Sequence, residues 1–408
     1  MKNLFLIITV LFSLQTFGQE TITETNNTSD KKNQFSNNII PTAEDILVNE
    51  SYDPIVGNLL SDNILFAYSF DGKLKAYDLD KEEEIWSFRS KDSVKGTTSN
   101  RFTIDRGIIY IPFENGEIYA VNGLTGKAFW KSKIGFIDNK IILWGQKPPI
   151  FNNKVYFTSI NKNVYALNTK NGELEWNYKL AYKFNQHPFL LSHDMLFVPN
   201  APYVYNFDAE TGKPLYQRGF KKAMYSTPAS NSKYIYVANE SDILFALKPE
   251  NLDIIWEFTI EDNQYNIDEK LKADAHYVYL ATWSNPTPNI ASVYCLKDVN
   301  GEKKWKTDFK DDNIQYIDIY NNSIYGYTEK GLFFELDKNT GKIIQKVALN
   351  YLPVSNLELY NKDNLLYYAK EGIIKLNLKT TQESILFSVD KPTISDTNSY
   401  IKISNNVD

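Results

Sequence analysis

One short pattern recurs along this 408-residue chain and restricts what it can become. In VNGLTGKAFWKSKI, residues 121–134, a small polar residue (Asn122) precedes the turn pair Thr125–Gly126, and Trp130 follows four residues after the glycine. The segment returns as LKAYDLDKEEEIW ending at Trp86, VYALNTKNGELEW at Trp176, VYNFDAETGKPLY at Tyr216 and LFALKPENLDIIW at Trp256. VYCLKDVNGEKKW at Trp305, LFFELDKNTGKIIQ at Gln345 and IIKLNLKTTQESI at Ile385 complete the series. Successive copies lie 44, 46, 40, 40, 49, 40 and 40 residues apart. A period held near 40 marks a repeat architecture, built from supersecondary units that cannot bury their apolar surface alone.

Within a unit the pattern is strands only. GIIYIPF (107–113) leads through the polar turn ENG to EIYAV (117–121), and a tight loop leads to AFWKSKI (128–134). A weaker strand lies upstream, about 101–105. Period-two alternation with Gly, Asn and Asp turns predicts four antiparallel strands per unit. The expected fold is all-β, an eight-bladed β-propeller of four-stranded antiparallel blades. In the loop before each outer strand, Gly126, Gly172, Gly212, Gly301 and Gly341 can take positive φ. Asn122, Asn168 and Asp208, four residues earlier, can bond the loop backbone. Trp86, Trp130, Trp176, Tyr216, Trp256 and Trp305 are expected to dock between neighbouring blades. Cys295 falls where Ala76, Ala120, Ala166 and Ala246 stand in other units, and so reads as a small buried side chain.

The first residues, MKNLFLIITVLFSLQTFGQE, place Lys2 before an apolar run too short to span a bilayer, the form of a secretory signal peptide over 1–18. Residues 19–44 are polar and are expected to form a flexible leader, with 45–408 as one propeller domain. Either DILVN (45–49) or YIKIS (400–404) is expected to supply an edge strand to close the ring. The net charge of −6, without a basic block, argues against a nucleic-acid partner. A single cysteine allows neither an intrachain disulfide nor a cysteine-based metal site, and no cysteine follows the apolar run to carry a lipid anchor.

The pattern Ala-x-Asp/Asn-x-x-Thr-Gly-x-x-x-Trp, seen best in AVNGLTGKAFW and ALNTKNGELEW, resembles the tryptophan-docking repeat of the pyrroloquinoline quinone dehydrogenase-like β-propellers over roughly residues 50–390. That family includes quinoprotein dehydrogenases and the non-catalytic BamB subunit of the outer-membrane β-barrel assembly machine. Enzymatic membership would imply a calcium site, a disulfide between adjacent cysteines and a catalytic aspartate. With one cysteine and no Cys-x-x-Cys-His for covalent haem, the expectation is a BamB-like, non-enzymatic scaffold without a cofactor, binding an envelope protein through its loops. The alternative is a small-molecule or glycan binder using the mouth of the central channel.

His187, His193 and His276 fall at different points of different units and read as turn or edge residues, and KEEE at 81–84 as a solvated run. Extra length falls at 89–101, 137–149 and 283–291, in connections that should emerge on one side of the ring. Long loops are usually functional, so Trp144, Lys147, Trp283 and Asn285 are candidate partner-binding residues, with Trp144 and Trp283 as aromatic anchors. No catalytic, cofactor or metal residue is assigned.

Overall fold

In the computed structural model, the described residues are 47–48, 63–69, 72–90, 101–113, 116–133, 147–159, 162–182, 189–224, 226–260, 265–284, 290–389 and 399–404, the backbone alone at 47–48, 265–270 and 284. They form an eight-bladed β-propeller of antiparallel blades with no helix among them. Blades two to eight occupy residues 103–133, 150–179, 190–219, 229–259, 265–310, 314–348 and 358–388. Blade three shows the plan. Its strands Ile150–Phe151, Lys154–Thr158, Asn163–Asn168 and Leu174–Lys179 pair in order, from inner to outer.

The second and third strands of a blade are buried on both faces. Ile108–Pro112 and Glu117–Asn122 are buried throughout, whereas the outer strand Glu83–Phe88 is mostly exposed. Apolar side chains on each face meet those of the next blade: Ile64 and Phe66 pack with Ile109 and Ile111, and Tyr325 and Phe333 with Leu365 and Tyr367. A blade is therefore stable only between two others, each buried side chain contributing about 1.5–3 kcal/mol.

Segments from both halves of the chain add strands to blades one and two, in different ways. Tyr400–Ile403 is the inner strand of blade one, pairing with Ile64–Tyr68, and the Ile64 amide donates to Ser404 Oγ across 340 residues of chain. Leu47–Val48 adds a fifth strand outside Ala128–Lys133 of blade two. The sequence suggested either segment; the chain uses one for the seam and the other for an outer edge.

Between blades, one contact recurs. The indole N–H groups of Trp86, Trp130, Trp176, Trp256 and Trp305 donate to the carbonyls of Gly123, Thr169, Ala209, Asp298 and Lys338, each in the next blade. Their rings lie on Gly126, Gly172, Gly212, Gly301 and Gly341, where an added Cβ would overlap the ring, at 2.6 Å for Gly126 and Gly172. Positive φ alone does not demand glycine. Leu252, Thr381 and Glu82 hold the equivalent position in blades five, eight and one at φ 60°, 58° and 54°. In front of those three stand Tyr216, Gln345 and Ile385. Tryptophan and glycine thus occur as matched pairs across a junction, and where one is absent so is the other.

Two of the three remaining junctions keep the hydrogen bond by other means. Gln345 Nε2 donates to Leu378 O at 3.0 Å, so this position retains the polar half of the contact without an indole. Tyr216 does not fit the expected docking role: it is 52% exposed. Its cross-strand neighbour Asn206 stands where other blades have the small residue that makes room for the indole. The Asn206 amide takes over, donating to Pro249 O at 2.9 Å and accepting from the Tyr216 amide at 2.6 Å. At the closing junction, Ile385 is exposed, and Tyr77 packs on Phe387 with centroids 4.4 Å apart.

Candidate functional site

An up-and-down blade sends its first-to-second and third-to-fourth turns to one side of the ring. Its second-to-third turns and the crossings to the next blade go to the other. The first side is built of tight turns. Asn122 Oδ1 accepts from the Leu124 and Thr125 amides, and Asp208 Oδ1 from the Thr211 amide and hydroxyl. Turns of this kind leave little backbone free for a ligand. The second side carries the long crossings, Phe88 to Thr103 and Lys133 to Ile150 among them.

Of the four sequence-predicted binding residues, only Lys147 and Trp283 are among the described residues, and they fall in different blades, three and six. Trp144 and Asn285 lie outside the described residues. Lys147 is half-buried, just before the inner strand of blade three. Trp283 is not in a loop: it is half-buried on the strand Tyr277–Ser284, opposite Asn266. The strand runs farther than the Asn-Pro-Thr-Pro sequence after it suggested, because an inner strand of nine residues, Tyr265–Ala273, lies alongside to pair with it.

At the channel, inner-strand side chains of blades six, seven, eight and one assemble a polar lining that no motif signalled. Asp318 accepts from Tyr316 Oη at 2.8 Å and pairs with Lys272 of blade six at 3.2 Å. Burial alone would raise the Asp318 carboxyl, but Lys272, the Ile319 amide and the Tyr316 hydroxyl more than offset it and hold it low. Glu358 faces Lys402 at 3.5 Å and accepts from the Ile403 amide at 3.3 Å. Arg101 lies over the Tyr400 ring at 5.2 Å. Burial drives the Tyr316 and Tyr320 phenols well above their ordinary value, so both stay neutral. The lining binds itself: both acids are already paired.

Other titratable candidates sit apart. Cys295 is buried opposite Trp305, and burial pushes its thiol up to about 12, unsuited to nucleophilic or ligand chemistry. His193 occupies a turn at φ 53°, and the His276 amide is held by Asp274. His187 lies outside the described residues. Among the described residues, no group of three or more His, Cys, Asp or Glu is placed to hold a metal ion.

Asp242, in the second-to-third turn of blade five, has a buried Oδ1 without a hydrogen-bond partner among the described residues, and burial pushes its carboxyl up to about 6. Because the folded value exceeds the ordinary 3.8, its contribution is full below about pH 4 and lost as pH rises through 6. Asp242→Asn is expected to raise stability at pH 7 by about 1–3 kcal/mol and to flatten its pH dependence between pH 4 and 6. Urea melts at both pH values check this; an unchanged pH profile would refute it.

The repeat, the blade count and the indole–glycine junctions are features that a sequence family can share. The sequence model described as outer membrane protein assembly factor BamB matches residues 46–140 and 114–347. The chain belongs to this family. Among curated relatives, BamB of Legionella pneumophila (strain Paris) is 21% identical over 210 residues, 50% of this chain and 52% of the relative. The quinoprotein ethanol dehydrogenase of Pseudomonas putida is 25% identical over 157 residues, 33% of this chain and 25% of the relative. The chain thus spans about half the length of the first relative and a quarter of the second. Among solved structures, BamB from Moraxella catarrhalis superposes with a TM-score of 0.61 at 19% identity, over 82% of this chain and 99% of that one. At that identity the likeness is one of fold. Among the described residues no helix is long and apolar enough to cross a membrane.

Proposed function

We propose that this chain is an exported, non-enzymatic scaffold that binds a protein partner in the bacterial cell envelope through the side of the ring that carries its long crossings. The observation that carries this reading is membership, over residues 46–347, of the family of the outer membrane protein assembly factor BamB. The apolar run at 4–14 supports export. The uneven division between tight turns and long crossings supports the choice of side.

The residues do not fit the quinone-and-calcium arrangement implied by the dehydrogenase branch. The sole cysteine is buried between blades, and the channel acids Asp318 and Glu358 each face a lysine. Adding pyrroloquinoline quinone and calcium is therefore expected to leave the melting temperature unchanged. A ligand that binds the native state must raise it, so an upward shift would return the enzymatic reading. The direct test is capture by the tagged protein from envelope extract, with a specific partner confirmed by reciprocal capture. Failure to retain any envelope protein would overturn the proposal.

A further inference from the structure

We propose that the corner between blades three and four, on the side of the long crossings, is where the partner binds, and that it takes an acidic, extended peptide segment. This rests on the partner-binding reading above and names its place and chemistry. Tyr182 follows the outer strand Leu174–Lys179 and is 42% exposed, while its ring stacks on Tyr203 of blade four with centroids 5.8 Å apart and planes 29° apart. The Tyr182 backbone is held on both sides by one side chain: its amide donates to Asn200 Oδ1, and Asn200 Nδ2 donates to its carbonyl, both at 3.0 Å. Asn200 is 1% exposed.

Equivalent residues elsewhere serve their own turns. Asn239 Oδ1 accepts from the Ser241 and Ile243 amides, and Thr328 Oγ1 from the Leu332 amide. Blade four has only Ala201 and Pro202 in this turn, which leaves the Asn200 amide free to reach the neighbouring blade. A buried amide spent on fixing an exposed tyrosine is the preorganisation that a binding anchor needs.

Lysines surround the anchor. Lys162 Nζ donates to Ala181 O at 2.9 Å. The Phe220 amide donates to Pro202 O and the Met224 amide to Ala201 O, which sets the exposed Lys221 and Lys222 beside the same turn. Among the described residues, the one acid these lysines reach is Glu240, 3.8 Å from Lys222 on an exposed pair, which contributes little and yields readily to a ligand. On a chain of net charge −6 this is a local reversal of sign. It attracts carboxylates and speeds encounter. A narrow segment fits better than a membrane, because the basic groups are confined to this corner and the next turn round the ring carries the exposed acid Glu240, which would repel a broad anionic surface.

The test uses the full chain and a labelled glutamate-rich peptide with a central leucine pair, followed by anisotropy at low salt. Binding is expected, with about tenfold or greater loss for Lys221→Glu/Lys222→Glu and for Tyr182→Ser. Lys379→Glu, on the opposite side, should leave affinity unchanged, as should melting temperature in the lysine pair variant. Absence of peptide binding, or equal loss in Lys379→Glu, would overturn the site. So would binding to phosphatidylglycerol vesicles or polyuronate that depends on Lys221 and Lys222 while peptide binding does not. If envelope capture succeeds with the native protein and survives in the lysine pair variant, this corner is wrong while the scaffold reading stands; if the native protein captures nothing, the scaffold reading itself fails.

Discussion

Trp130→Ala is expected to destabilise the propeller by about 3–5 kcal/mol, the range for deleting a large buried aromatic, whereas Tyr216→Ala, at the same point of the repeat, should stay within about 0.5 kcal/mol. Trp130 is fully buried, and its indole N–H is the partner of Thr169 O at 2.8 Å in the next blade. Truncation removes both the ring and that donor, leaving the Thr169 carbonyl only the long 3.4 Å hydrogen bond from Tyr110 Oη. Tyr216 stands half in solvent, and Asn206 already holds the Pro249 carbonyl in its place. Gln345→Ala should fall between them at about 1 kcal/mol, since one hydrogen bond and no buried ring is lost. Midpoints in urea at constant m-value report these differences. Equal losses at Trp130 and Tyr216 would show that the indole junctions are not what holds neighbouring blades together.

Gly172→Ala should carry the next largest penalty, about 1–3 kcal/mol from overpacking, because its Cβ would sit 2.6 Å from Cε3 of Trp130. Positive φ, 74° here, adds strain of its own. The two causes separate in a double-mutant cycle. With Trp130→Ala already in place the overlap is gone and only the backbone term remains, so a coupling energy of about 1 kcal/mol or more is expected between the two positions. Thr381→Ala, in a loop of the same conformation without an indole above it, should be close to neutral. Additive losses at Gly172 and Trp130 would mean that glycine is there for its φ alone.

These two experiments address the point at which sequence reading and structure part. The eight units, their strands and the Asn or Asp that braces six of the eight tight loops are written locally: alternation over five or six residues and a turn signal at constant offset suffice. GIIYIPF became Ile108–Pro112 and AFWKSKI became Ala128–Lys133 for that reason. The resemblance in the repeat likewise led to the family. Nothing so local marked Tyr216 as exposed. Its fate depends on Leu252, in place of a glycine one blade later, and on Asn206 across the sheet, so the motif looked complete when read one unit at a time.

The candidate binding surface shows the same division. Loop length pointed to one side of the ring, but the strand pairing of Tyr277–Ser284 took Trp283 out of its loop, and the corner that presents Tyr182 draws on residues 162, 182, 200, 203, 221 and 222 from two blades. By itself, the sequence determined the blade, the number of blades and the positions at which an aromatic might dock, because these follow from short-range periodicity and turn chemistry. Only the tertiary structure decided which junctions hold an indole, how the Tyr400–Ile403 strand closes the ring and which tyrosine is held out to solvent, because each of those contacts joins side chains from different strands or different blades, and neither partner is informative without the other.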